Sequence, residues 1–332
     1  MNLPSFSKIT ITTLATLAIF LASLTPLALH AQSALIKEHE NELAAAEQKL
    51  QAVQADPKAT DAQKAEALSG KGAALALVGR HAEALPLLRQ AEKLNPDNPI
   101  TQLRIAQVLD AAGNHQQARE KFDQITASLS AWMARQDAKA KNQKQNKDEV
   151  TDEDAEKYAT GLMLPSASGI NYAHLGQYDK ALTVFEAAGK FSQTVADMNE
   201  LSDYYACWRL WLVAKLRAEN AGTRNLPSLV TLARTLKVST SYHKALLRLY
   251  AGEASWDDVL AAIDSMKITD AEKENFRTEA HFFGAGYFRY VKRDNATALA
   301  LLKAEDARPF NGCDERALIR KELASLAKIA AL

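Results

Sequence analysis

The residues that could do chemistry are few and scattered. Seven histidines and two cysteines are spread over 332 positions. Glu38-His39-Glu40 resembles the start of a zinc-protease helix, but Leu43 stands where the second histidine must fall one turn later. No Gly-x-Ser-x-Gly elbow exposes a serine, and no glycine-rich loop is shaped to cradle a phosphate. No run of His, Cys and acids has metal-ligand spacing along the chain. The sequence therefore offers no catalytic residue, metal ligand or cofactor site. Cys207 sits beside Trp208 in an apolar stretch and reads as an inert core thiol, whereas Cys313 follows the turn signal Asn311-Gly312 and reads as more exposed. A disulfide between them would need Cα atoms within about 7 Å. Their separation of 106 positions argues against pairing. An oxidising compartment argues for it, and the question stays open at this level.

With no chemistry to carry, the elements themselves become informative. Lys+Arg and Asp+Glu both number 40, which gives no electrostatic reason to bind nucleic acid. Few glycines and prolines among many Ala and Leu suit helices. Lys8 is the sole charge before Lys37, and an apolar stretch runs from Ile9 to Leu29 before Leu29-His30-Ala31. Residues 1–31 read as a cleaved signal peptide, with an uncleaved anchor as the alternative. The expected address is periplasmic. No Cys stands near the cleavage position, so no lipid anchor is expected.

The chain repeats itself. Gly79 and Gly113 are 34 positions apart, and His81/His115, Ala84/Ala118, Leu88/Phe122 and Ala91/Ile125 keep that offset. A third block carries Gly169, Tyr172, Gly176, Tyr178, Ala181, Phe185 and Ala188. On these residues the chain resembles the tetratricopeptide repeat, whose period is 34. The resemblance implies an all-α, tetratricopeptide-type helix-pair solenoid, a right-handed superhelix with degenerate helical repeats toward the C-terminus. Its parts are an N-terminal amphipathic helix (32–58), units 1 and 2 (59–127), a charged helical or mobile insert (128–160), unit 3 (161–193) and a degenerate region (194–332). The insert is needed because Gly113 and Gly176 are 63 positions apart, about 29 beyond the period. Capping boxes are expected at Thr60…Gln63 and Thr269…Glu272, with weaker versions at Thr151…Asp154 and Ser255…Asp258. Ala34–Gln54 could cap the array or pair with a copy of itself in a homodimer. Arg293 stands where a helix-closing glycine belongs.

The degenerate half is similar to periplasmic repeat adaptors of the NlpI type. The matching pieces are Trp211-Leu212-Val213-Ala214, Leu249-Tyr250-Ala251-Gly252, Glu279-Ala280-His281-Phe282-Phe283 and a late Phe310…Glu315…Ala317…Leu323. That resemblance implies a scaffold that docks cell-wall hydrolases or proteases. The missing lipid-attachment Cys and the charged insert depart from it. In the repeat register, His81 and His115 occupy an aromatic slot shared with Tyr178 and are expected to pack. The concave face would present Leu103, Arg104, Gln107, Asp110, Ile170 and His174 to a protein or peptide partner. The alternatives are an envelope enzyme with a pocket in the C-terminal helices and a self-associating structural protein.

Overall fold

The computed structural model describes residues 26–142, 151–193, 199–219, 225–308 and 315–330. Among these residues every regular element is helical. In chain order they are α1 (Pro26–Ala55), α2 (Asp61–Leu77), α3 (His81–Leu94), α4 (Pro99–Ala111), α5 (His115–Asn142), α6 (Asp152–His174) and α7 (Tyr178–Ser192). Then follow α8 (Asn199–Glu219), α9 (Leu229–Thr235), α10 (Ser241–Ala251), α11 (Trp256–Asp264) and α12 (Asp270–Gly286). A π-helical segment (Tyr287–Lys292), α13 (Asn295–Asp306) and α14 (Arg316–Ala330) complete the chain. The architecture is an all-α helical-repeat solenoid. Along the chain α2/α3, α4/α5 and α6/α7 form three successive helix pairs, denoted units 1, 2 and 3 below.

Local signals set the boundaries. Thr60, Ser255 and Thr269 each close a reciprocal capping box, so Ser255 does more than its short Asp partner suggested. Thr151 caps α6 by accepting from the Asp154 amide, and its hydroxyl donates to the Asp154 carboxylate at 2.9 Å. Asn98 caps α4 with Pro99 at the first helical position, where the missing N–H costs nothing. The first helix of each unit ends in a left-handed glycine, at φ of 78° for Gly79, 86° for Gly113 and 74° for Gly176. Arg293 adopts the same conformation, at φ 60°, with a side chain in place of the expected glycine. Its turn closes one residue further back than in the repeats, the Asp294 amide donating to the Phe288 carbonyl at 2.9 Å at the end of the π-helical segment.

The extra residues between units 2 and 3 lengthen the helices around them. α5 and α6 contain 28 and 23 residues, against 14 and 13 in α3 and α4. Alanine, lysine and glutamine in 128–142 are good helix formers, and Trp132 ties the extensions together by donating to Asp154 at 2.9 Å. Residues 143–150, the Lys/Asn/Gln-rich middle of the insert, lie outside the described residues, as do 1–25 of the expected signal peptide and Cys313. Cys207 carries a free, buried thiol. No helix among the described residues is long and apolar enough to cross a membrane.

Two cores result. The N-terminal one joins Leu43 of α1 to the units, through Leu75, Leu88, Leu103, Phe122 and Leu164. The larger C-terminal one runs from Ile170 to Leu326 around Trp208, which contacts Phe185, Trp211, Phe282 and Phe283 at ring separations of 5.1–5.7 Å. The α1 stripe of Leu35, Leu43 and Leu50 is buried, and α1 packs on α2 and also on α12. The helix therefore buries this stripe against its own chain. α14 turns back and packs on α6, contributing Leu318, Ile319 and Leu326 to the C-terminal core.

Candidate functional site

The first helices of the three units, α2, α4 and α6, line up their inner faces, and α14 lies opposite. Between them is a cavity of about 590 Å³. Ala73 and Leu77 of α2, Val108 and Ala111 of α4, and Met163 and Ala167 of α6 give it apolar walls. Small residues at 73, 76, 111 and 167 leave the space unfilled. Five of the six residues expected to face a partner line this cavity: Arg104, Gln107, Asp110, Ile170 and His174. Leu103 does not. It is fully buried in the N-terminal core and packs between repeats, because helical rotation turns it inward beside Arg104.

The polar side chains of the wall differ in how they are held. Arg104 donates to Ser69 Oγ at 2.9 Å, its one hydrogen bond among the described residues. Burial lowers the pKa of its guanidinium, while Glu66 and Glu156 at longer range act the other way. Gln107 is half-buried. From α14, Arg316 reaches the carbonyls of Glu305, Asp306 and Arg308 at 3.1 Å and so caps the C-terminus of α13. Arg320 donates to Asp306 at 3.0 Å. Three arginines thus stand around the cavity, two of them near Asp306, and Asp110 is the carboxylate in its lining.

Asp110 is itself committed. Its Oδ1 meets His115 Nδ1 at 2.7 Å and accepts from Asn171 Nδ2 at 2.7 Å, and its Oδ2 meets His174 Nδ1 at 2.8 Å. Burial works to raise its pKa. The bonds from His115, His174 and Asn171 outweigh burial and hold the carboxyl below its ordinary value. The two imidazole rings lie 4.7 Å apart. Asp110 and His115 flank the Gly113 turn, while Asn171 and His174 end α6, so the cluster fastens unit 2 to unit 3. His115 was expected to pack as a repeat aromatic. Instead it hydrogen-bonds, because the turn aims its ring at the preceding helix end. The sequence hint was positional: Asp110 and His115 sit three before and two after one closing glycine, and His174 two before the next.

A second polar cluster lies near a shallower depression in the C-terminal half, which Tyr204, Ser239, Thr240, His243 and Glu279 help to line. His243 is pinned between Asp203 at 3.3 Å and Glu279 at 3.2 Å. Burial disfavours its charge, but these two carboxylates raise its pKa to about 9, so it is an imidazolium at neutral pH. Asp203 also accepts from the Ser239 and Thr240 amides and thereby fixes the start of α10. Cys207 lies next to this group, and its burial pushes the thiol pKa up. It is a core residue, as the sequence suggested.

Compared with known protein families, residues 75–141 match a family model described as tetratricopeptide repeat. No curated protein matches the chain. The matched stretch spans α3 to α5 with the end of α2, and, with the helix pairs on either side of it, supports reading the chain as a tetratricopeptide-repeat protein.

Proposed function

We propose that the chain is a non-catalytic scaffold that holds a protein or peptide partner in the cavity between α2, α4, α6 and α14. Tetratricopeptide repeats suggest protein–protein interaction in general. The observation that carries the finer reading is Arg104, a half-buried cation with one neutral hydrogen-bond partner, set in an apolar wall that three repeats share. A planar fork of donors in such a wall suits a partner segment that presents a carboxylate next to apolar side chains. The N-terminal sequence supports a periplasmic address, and the similarity to NlpI-type adaptors supports cell-envelope hydrolases or proteases as partners. Holding one partner beside another raises its effective local concentration.

The test is affinity capture from an envelope extract, followed by direct binding of the recovered partner. Wild type is compared with Arg104→Glu and with Ala111→Trp, which fills the cavity from an exposed position. Recovery of a defined partner by wild type and its loss with both variants supports the groove. Equal recovery by all three moves the binding surface elsewhere on the molecule.

A further inference from the structure

The geometry points to Asp110, His115 and His174 as a binding site for a divalent transition-metal ion of the zinc type, built across the junction of units 2 and 3. Each residue offers one ligand atom, and those atoms lie within 4.8 Å of one another. Two imidazole nitrogens and one carboxylate oxygen are the donor set that Zn²⁺, Ni²⁺ and Cu²⁺ prefer over Mg²⁺ and Ca²⁺, which want oxygen alone. Donors around one zinc ion at about 2.0–2.2 Å stand roughly 3–4 Å apart, so the cluster needs only side-chain rotation to close on an ion.

Three observations set this cluster apart from an ordinary hydrogen-bond network. Both histidines use Nδ1 toward the same carboxylate, which orients the two rings jointly. His174, whose side chain is 3% exposed, leaves Nε2 buried with no partner, and Asn171 Oδ1 is likewise unpartnered. A buried, unpaired polar atom is destabilising, and a water held by a bound ion would give such an atom a partner. Finally, Asp110 and His174 line the cavity, so an ion has a route in and keeps an open coordination position facing the groove. Asn171, donating to both Asp110 and the His115 carbonyl at 2.9 Å, supports the ligands from behind.

The second cluster with metal-ligand proximity, Cys207, His243 and Glu279, makes a useful contrast. There His243 sits between two carboxylates that favour its charged form, and burial favours the protonated Cys207 thiol, so neither is in the deprotonated state that a metal binds. The two clusters therefore predict opposite results in one experiment.

That experiment uses the untagged full chain, stripped of metal, titrated with Zn²⁺ by calorimetry and with Co²⁺ by visible absorption. Expected is one ion per chain with a dissociation constant below about 10 µM, roughly 7 kcal/mol of binding, and a rise in Tm on adding Zn²⁺. His115→Ala, at a partly exposed position, and Asp110→Asn should each weaken binding at least about 100-fold and abolish the Tm rise. Cys207→Ser should bind like wild type. Circular dichroism without metal confirms that each variant is folded. No binding by wild type at about 100 µM free Zn²⁺, or equal affinity in wild type and His115→Ala, overturns the site. The measurement needs no protein partner, so it succeeds or fails independently of the scaffold reading.

Discussion

At the scale of single residues, the repeat imposes its strictest demand where two helices of a pair touch. A Cβ built on Gly169 would lie 2.6 Å from Phe185 Cζ, and Phe185 is fully buried. Gly70, in the corresponding helix of unit 1, has nothing within 4 Å of its Cβ position. Gly169→Ala should therefore lower stability by about 1–3 kcal/mol through overpacking. Gly70→Ala should raise it by about 0.5–1 kcal/mol through helix propensity. Urea unfolding of both variants checks the pair, and equal effects would contradict the packing. His243 provides a pH dependence. Its folded pKa, about 9, is above the unfolded value, so its contribution is fully present below the unfolded pKa and is lost as pH rises toward 9. The loss should reach about 3 kcal/mol in wild type between pH 6.5 and 9.5. In His243→Gln this pH slope should disappear and the chain should be less stable at pH 6.5. Unfolding curves at the two pH values read both effects.

At the scale of elements, α14 is held by polar contacts from three other parts of the chain. Glu322, buried near the middle of α14, accepts from Lys215 of α8 at 3.0 Å and pairs with Arg289 and Tyr290 of the π-helical segment. One helical position earlier, Lys321 donates to the last carbonyls of α6, Ala173 at 3.3 Å and His174 at 3.0 Å. Removing the carboxylate takes from buried Arg289 its carboxylate partner and leaves Lys215 with Glu219. Glu322→Ala should cost about 3–5 kcal/mol and expose α14 to limited proteolysis before the rest of the chain. A fully resistant α14 in that variant would mean that Leu318, Ile319 and Leu326 hold the helix by themselves. The π-helical segment matters here because its wider turn carries Arg289 and Tyr290 to the same carboxylate.

At the scale of the whole molecule, a neutral chain places its charge unevenly. Formal net charge is zero, yet the cavity is lined by Arg104, Arg316 and Arg320, of which the latter two are paired with Asp306 while Arg104 bonds only the neutral Ser69. Partner binding driven by these arginines should weaken as salt is added, mostly through slower association, and Arg104→Gln should flatten that dependence. Binding rates at low and high salt test this, and a salt-independent affinity would place the energy in the apolar walls alone. Because α14 forms one wall, the cavity belongs to both halves of the chain and exists only when both cores are folded.

The sequence by itself determined the local structure and the repeat. The 34-residue period, the closing glycines, the capping residues and the alternation of small and large positions each act over a few residues, so they were readable without tertiary contacts. Tertiary structure alone decided what meets across the array. It sent Leu103 into the core and left Arg104 beside the cavity, a difference of one helical step in side-chain direction. It brought His174 within 2.8 Å of Asp110, 64 positions away, because stacked first helices place equivalent ends side by side. It also returned α14 to the groove, where a buried ion pair far apart in sequence fixes it. No short-range pattern encodes such meetings, since they depend on how successive helix pairs rotate against each other as their apolar faces are buried.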